Sequence, residues 1–434
     1  MKLLLLGSGA REHALAWKFS GEHSVSEILC APGNAGIAQH ARCVPLDVGD
    51  SKAVLALAES EGVDFTVVGP ELPLACGVAD IFAEAGHILF GPLQAAARLE
   101  SSKVFAKEFM KRHQIPTARF KVCQNATEAM SIVSGKNFGF PVVIKADGLA
   151  AGKGVTVASD RRAAEAAVAT AMIERKFGDA GTRLVIEECL VGQEVSFFVL
   201  CDGHQGLVLP SAQDYKRVFD GDDGPNTGGM GAFAPSPLIS KELSSEVMTK
   251  IAMPVLRGFQ AEGIEYRGVL YIGLMLTDSG PKVIEFNVRL GDPEAQVILP
   301  MIETDLAPLF FSAARGKLSS ESFRINMNPQ VGVVIASGGY PGHYETGFPI
   351  VGLDKAVQFS GIKIFHSGST NLNGNLVTNG GRVLTVVGSG LTYEEAINCV
   401  YRAVTCVSFQ GKHVRNDIGQ KALESNRNKQ LGMR

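Results

Sequence analysis

Apolar and polar positions change their period along the chain. In the first hundred residues, short continuous apolar runs alternate with stretches of helical spacing. The runs at 3–6, 28–31, 65–68 and 88–90 read as buried strands, and 11–19, 53–61 and 81–85 as helices. Continuous apolar strands separated by helices predict βαβ units around a parallel sheet. Ligands of such sheets bind beyond the carboxyl ends of the strands. Three of these ends carry small and polar residues: Gly7-Ser8-Gly9-Ala10-Arg11, Pro32-Gly33-Asn34-Ala35-Gly36 and Gly69-Pro70-Glu71.

The pattern then becomes richer in strands. Ser101 reads as the N-cap of a helix running to 113, stopped by Ile115-Pro116-Thr117. Strands are predicted over 142–146, 155–158, 184–188 and 195–200, with an Ala-rich helix over 161–174. A glycine-rich loop covers 213–237. A helix over 241–260 leads into strands at 268–277 and 282–290, joined by the tight turn Asp278-Ser279-Gly280. From about 325, β-branched residues and Gly-rich turns predict a mainly β module. A helix over 392–407 closes it, and the chain from Lys412 onward is basic and polar.

Composition narrows the class. Hydrophobic residues make up 46% and charged residues 20%, which excludes a disordered chain. Glycine supplies 49 of 434 residues, a surplus that asks for loops where backbone bends sharply or approaches a ligand. A net charge of −3 and 7% aromatics leave no nucleic-acid footprint and no basic membrane-binding patch. The opening run Leu3-Leu4-Leu5-Leu6 is too short for a signal segment or a membrane span and reads as the first strand. None of the eight cysteines has C-x-x-C spacing, so no zinc site is expected. They read as reduced core thiols of a cytoplasmic protein.

Several stretches carry candidate chemistry. Gly7-x-Gly9 after a first strand invites a dinucleotide fingerprint, but Glu12 stands where the third glycine belongs. The second strand also ends in Cys30-Ala31-Pro32, without an acid for a ribose hydroxyl. That loop is either an amide cradle for a phosphate monoester or simply a tight strand–helix turn. Gly148-Leu149-Ala150-Ala151-Gly152-Lys153-Gly154 lacks the spacing and the hydroxyl residue of a P-loop. It reads as a flap closing over phosphates, or as a flexible hairpin tip. Lys145 sits inside an apolar strand and needs an anionic partner, for which phosphate is the natural choice.

The clearest signal is the strand 283–289. Alternation points Ile284, Phe286 and Val288 into a core and Glu285, Asn287 and Arg289 to the other face. An acid, an amide and a guanidinium in one row suit a cation bridging phosphate oxygens and a charge clamp on a transferring phosphoryl group. Asp292 and Glu294 follow directly. The stretch Glu187-Glu188-Cys189-Leu190, then Gly192-Gln193-Glu194, reads as a hinge that pairs with an adenine edge, or as a surface hairpin. The loop around Asp214 and Tyr215-Lys216-Arg217 is too long for a plain connector and reads as an active-site cover. No histidine pattern marks a metal or a triad, and His13 reads as a surface or capping residue.

Taken together, GSGAREHALAW, APGNAG, VVGPELPL, FPVVIKADGLAAGKGV, EECLVGQEVS, QDYKRVFDGDDGPNTGGMGA, EFNVRLGDPEAQ, ASGGYPG, TNGGRVL and HVRNDIGQKAL resemble the glycinamide ribonucleotide synthetase family of ATP-grasp ligases in order and spacing. The likeness runs over essentially the whole chain. Ala10 replaces the family's usual glycine, and Leu290 its usual phenylalanine. The resemblance implies an α/β and α+β multidomain fold. A Rossmann-like parallel-sheet domain covers 1–100, an ATP-grasp domain 101–325 with a small nucleotide-clamping lobe near 120–192, and a β-rich domain 326–434. It implies ligation of glycine to 5-phosphoribosylamine through glycyl phosphate, with ATP and Mg²⁺ or Mn²⁺, in purine synthesis.

By the same resemblance, Lys103, Lys145, Gly152, Lys153 and Gly154 hold ATP phosphates. Glu187 and Leu190 meet adenine, and Glu194 the ribose. Glu285 and Asn287 bind the metal; Arg289, Asp292 and Asp214 serve catalysis. Gly9, Arg11, Gly33, Asn34 and Glu71 shape the substrate site. The expected partners are these small molecules alone, with no nucleic acid and no membrane, in a cytoplasmic monomer or weak dimer carrying a single activity. Competing readings are another ATP-grasp ligase or carboxylase, an inactive nucleotide-fold regulator, and an NAD-dependent oxidoreductase. HVRNDIG speaks against the first, intact Lys145, Glu285, Asn287 and Arg289 against the second, and Glu12 against the third.

Overall fold

The structure, a computed structural model of the chain, describes residues 1–135, 138–149, 154–319 and 323–430. The first apolar run forms strand Lys2–Gly7 at the centre of a five-stranded parallel sheet. Glu27–Pro32 and Phe65–Val68 flank it, with Arg42–Cys43 and Leu89–Phe90 at the edges. Leu4 and Leu6 enter one apolar cluster and Leu3 and Leu5 another. Both faces are therefore covered, which is why the run is continuously apolar.

A second sheet is wholly antiparallel and places Phe120–Cys123, Leu184–Glu188, Val142–Ala146 and Val155–Ala158 side by side. Val142, Ile144, Leu184 and Ile186 face its own core with helices Ala126–Ser134 and Arg161–Val168. Alternation sends Lys145 and Glu187 to the opposite face. Because Val143 pairs with Glu187 and Lys145 with Val185, the two charged residues are diagonal neighbours. A third sheet runs Gly206–Val208, Gln193–Asp202, Arg267–Thr277 and Gly280–Asn287, again antiparallel.

Three expectations change. Ser101 ends helix Gln94–Ser101, and Ser102 caps the next helix, Lys103–Arg112, by accepting from the Phe105 amide at 3.1 Å. The strand after the Asp278 turn ends at Asn287, so Arg289 lies past the row it was expected to share. A bulge opposite Gly273 and Leu274 also resets the alternation, and Val283 rather than Ile284 joins Phe286 and Val288 in the core.

The glycine-rich stretch 213–237 is not a free loop. Its segments Gln213–Asp214 and Gly231–Ala234 pair with each other, and the latter pairs with Gln330–Ser337. Both thereby become strands of the C-terminal sheet, which continues through Arg382–Ser389 and Ile362–His366. Between them Arg217–Phe219 and Asp223–Asn226 form a small hairpin. Helix Tyr393–Cys406 packs on the sheet through Ala396, Val400 and Val404. The polar tail is structured too, as strand Lys412–His413 and helix Gln420–Gln430. All eight cysteines are free, but only Cys30, Cys123 and Cys201 are buried.

Candidate active site

The carboxyl ends of the parallel strands face the turn that follows the strand ending at Asn287. The first loop closes on Glu12. Its carboxylate accepts from the Gly9 amide at 2.6 Å through Oε2 and pairs with Arg11 Nε at 2.5 Å through Oε1. A side chain at Gly7 or Gly69 would run into this carboxylate. The Gly9 amide, expected to face a phosphate, is therefore already satisfied by a buried acid. Arg11 in turn donates to the Leu290 carbonyl at 3.0 Å. Asn34 is fully engaged as well. Its amide nitrogen donates to the carbonyls of Ser8 and His366 at 2.8 Å, and its oxygen accepts from the amides of Gly36 and Ile37. Gly33 holds φ +74°, and any Cβ there would meet the Cys43 sulfur.

His13 corrects the surface reading. It is buried, and its Nδ1 accepts from the His366 amide at 2.7 Å. Burial, with His366 and His40 nearby, pushes its pKa down to about 2. The ring is a neutral acceptor that joins the N-terminal helix to strand Ile362–His366.

Arg289 sits between two carboxylates. It donates to Glu100 at 2.7 Å, lies 3.3 Å from Glu71, and donates to its neighbour's carbonyl, Leu290, at 3.1 Å. Glu100 also accepts from the Val288 amide at 2.8 Å. The Asn287 amide, turned so that its nitrogen donates, reaches the Phe286 carbonyl and Glu100. Asp292 accepts from Gln296 at 2.8 Å and lies 3.3 Å from Arg382. Burial would raise its pKa, but Arg382 and Arg11 outweigh that and hold it below the usual range. Arg382 also donates to the carbonyls of Gly228 and Asp292, tying the 213–237 stretch to this turn.

Across the cleft, Lys216 pairs with Glu194 at 2.7 Å and lies 3.9 Å from Glu285. Desolvation would raise the Glu285 pKa, but Lys216, Lys103 and Lys145 outweigh it, so the carboxylate is charged. Asp214 behaves oppositely. Burial, added to Glu294, Glu194 and Glu285, pushes it up to about 7 against the pull of Lys216. Lys103 donates to the Glu100 carbonyl at 3.0 Å. Lys145 has an anionic partner within the protein, Glu187. Glu187 is shared with Lys107, and its side chain is buried beneath the hinge that continues to Leu190. Of the flap, Gly148, Leu149 and Gly154 are described, while Gly152 and Lys153 lie outside the described residues.

Glu285 and Asn287 fit a hard cation. They offer oxygen donors, and among the described residues no cluster of three His, Cys, Asp or Glu forms a self-sufficient metal cage. Two protein donors completed by nucleotide phosphates are the usual arrangement for Mg²⁺. Residues missed from the sequence are Glu12, Glu100, Lys107, Lys216, Arg382 and Arg415. Lys107 left a local signal, a lysine one helical turn after Lys103, while Lys216 and Arg415 stand within stretches already singled out. Arg415, within HVRNDIG, is fully buried over the Tyr215 ring. It bonds Asp417, Asp222 and the Arg217 carbonyl, clamping the hairpin beside Asp214.

Known proteins share this whole architecture. The N domain of phosphoribosylglycinamide synthetase matches residues 1–100, its ATP-grasp (A) domain 101–295 and its C domain 330–421. A phosphoribosylamine–glycine ligase of Ralstonia nicotianae is 46% identical over 424 residues, covering 98% of this chain and 100% of the relative. The crystal structure of a phosphoribosylamine–glycine ligase from Thermotoga maritima superposes with a TM-score of 0.84 at 36% identity, covering 96% of this chain and 100% of that one. The biotin carboxylase domain of a 2-oxoglutarate carboxylase from Hydrogenobacter thermophilus, at 18% identity and a TM-score of 0.72, covers 95% of this chain and 91% of its own and shares the fold alone. With all three domain matches in chain order and near-complete coverage, the chain belongs to the phosphoribosylglycinamide synthetase family of ATP-grasp ligases.

Proposed function

We propose that the protein joins glycine to 5-phosphoribosylamine at the expense of ATP, releasing glycinamide ribonucleotide, ADP and phosphate. The glycine carboxylate takes the γ-phosphoryl group, and the amine of phosphoribosylamine then displaces phosphate from glycyl phosphate. What supports this reading is one junction. Arg289, just past the end of the strand that carries Glu285 and Asn287, pairs with Glu71, the first residue of the helix that follows strand Phe65–Val68, and Arg11 bonds Leu290 beside it. In this reading a phosphoryl-transfer side and a sugar-phosphate side meet at that junction. Such transfer needs positioned charge more than covalent help.

In this reading Lys103, Lys145, Gly152, Lys153 and Gly154 hold the nucleotide phosphates. Glu187 and Leu190 carry the hinge that meets adenine, and Glu194 receives the ribose. Glu285 and Asn287 hold Mg²⁺ or Mn²⁺, which when bound neutralises phosphate charge. Arg289 stabilises the charge developing on the transferring group. Asp292 and Asp214 orient the amine substrates, while Gly9, Arg11, Gly33, Asn34 and Glu71 shape the sugar-phosphate pocket. Because Asn34 and the Gly9 amide are saturated, their part is to set loop shape rather than to bond the ligand. The strands inside 213–237 hold the cover against water, which would hydrolyse the acyl phosphate.

Among the described residues no helix is long and apolar enough to cross a membrane. The proposal includes a cytoplasmic setting and a monomer or weak dimer. ADP release measured with glycine, with and without freshly made phosphoribosylamine, tests the function. Release that depends on both substrates supports it, and release indifferent to either removes it.

A further inference from the structure

Three charged groups are buried together beneath the hinge. Lys107 is 2% exposed, Glu187 3% and Lys145 5%. Both ammonium groups pair with the one Glu187 carboxylate, one on each oxygen. Lys107 is fixed further by donating to Thr117 Oγ1 at 2.7 Å, and that hydroxyl donates to the Val283 carbonyl at 2.7 Å. Among the described residues, the other bond of Lys145 is to the Ile284 carbonyl, 3.0 Å away and at the bulge of the strand that carries Glu285. Two lysines on one carboxylate leave a buried positive charge over, which calls for a second anion.

We propose that Lys107 is a positioning residue for nucleotide binding: it holds the charge of Glu187 so that Lys145 can turn to the nucleotide phosphates. Without Lys107, the departure of Lys145 would strand a buried carboxylate, and Lys145 would stay on Glu187. The asymmetry of the anchors supports this division. Lys107 bonds the shared acid and the Thr117 hydroxyl, which is itself anchored on the Val283 carbonyl, whereas Lys145 bonds the shared acid and the Ile284 carbonyl at the bulge beside Glu285. Desolvation lowers the Lys107 pKa to about 8, although Glu187 pulls it up. This inference rests on the ATP-binding reading above.

The test is calorimetric titration of the full-length protein with Mg·ADP, together with the KM for ATP. Lys107→Met is expected to raise the Kd on the order of 100-fold, the scale set by leaving a buried charge unpaired. At saturating ATP its kcat is expected to stay near the wild-type value. Because the buried Glu187 side chain is turned to the lysines and only its backbone belongs to the hinge, Lys107→Met combined with Glu187→Gln removes the stranded charge and frees Lys145, so binding is expected to return close to wild type. A purely structural role for Lys107 predicts no such rescue. An unchanged Kd in the single variant overturns the proposal, and so does a double variant that binds no better than a weakened or unfolded single one. Wild-type protein that fails to bind Mg·ADP would instead remove the nucleotide reading itself.

Discussion

Nη2 of Arg289 donates to Oε1 of Glu100 at 2.7 Å, and the second oxygen of that carboxylate accepts the Val288 amide at 2.8 Å. One buried acid thus fixes both the side chain and the backbone that presents it. Glu100→Gln keeps the shape and removes the charge that holds the guanidinium. The expected outcome is a kcat about 10-fold lower with little change in KM for ATP, because orientation and not binding is lost. A stability loss of about 1–3 kcal/mol should accompany it. Wild-type kcat in a folded Glu100→Gln variant would show that Glu71 alone orients Arg289.

Glu285 faces the cleft, and among the described residues its ion pair is the 3.9 Å approach of Lys216. Glu285→Ala should leave the urea midpoint unchanged. Turnover should fall on the order of 100-fold or more, the scale of losing one preorganised charge contact in an active site. Mn²⁺ titration followed by electron paramagnetic resonance in the presence of ADP should show the matching loss of bound metal. Near-normal turnover at ordinary Mg²⁺ would refute the metal role.

Arg415 is fully buried and holds Asp417 of the tail and Asp222 in the turn of the hairpin beside Asp214. Arg415→Ala removes the guanidinium from Asp417 and from Asp222, which keeps Lys421 at 2.6 Å, and should cost about 1–3 kcal/mol. Amide exchange should rise first in 215–226, since that segment takes its bonds from the tail. Protection that stays uniform across this segment would mean that the sheet, not the tail, holds it.

His13 and His366 titrate with the opposite sign to a stabilising histidine. Burial pushes them down to about 2 and about 4, below the ordinary value near 6.5. Between about pH 4 and 6.5 the unfolded chain binds more protons than the native one, so stability rises with pH and is lost on acidification. His13→Asn keeps an acceptor for the His366 amide and removes one titrating group. Urea midpoints at pH 6.5, 5.5 and 4.5 should fall less steeply for this variant than for wild type. Identical slopes would place the acid sensitivity elsewhere.

Local rules made much of this protein legible in its sequence. Continuous apolar runs reported a sheet covered on both faces, and Asp278-Ser279-Gly280 reported the hairpin that carries Glu285 and Asn287. Lys145 inside an apolar strand demanded an anion, because a buried charge is paired wherever it lies in the fold. The linear pattern did not say which anion. Glu187 answers from an adjacent strand, and Lys107 from a helix outside that sheet. Glu100 likewise reaches Arg289 across 189 positions of chain, and Arg415 reaches Arg217 across 198. Hydrophobic period records which face of an element is buried, a property of neighbours three or four residues apart. The choice of charge partner, the bulge at Ile284 and the capture of 213–237 by the C-terminal sheet depend on pairings between distant segments, and only the tertiary structure decides those.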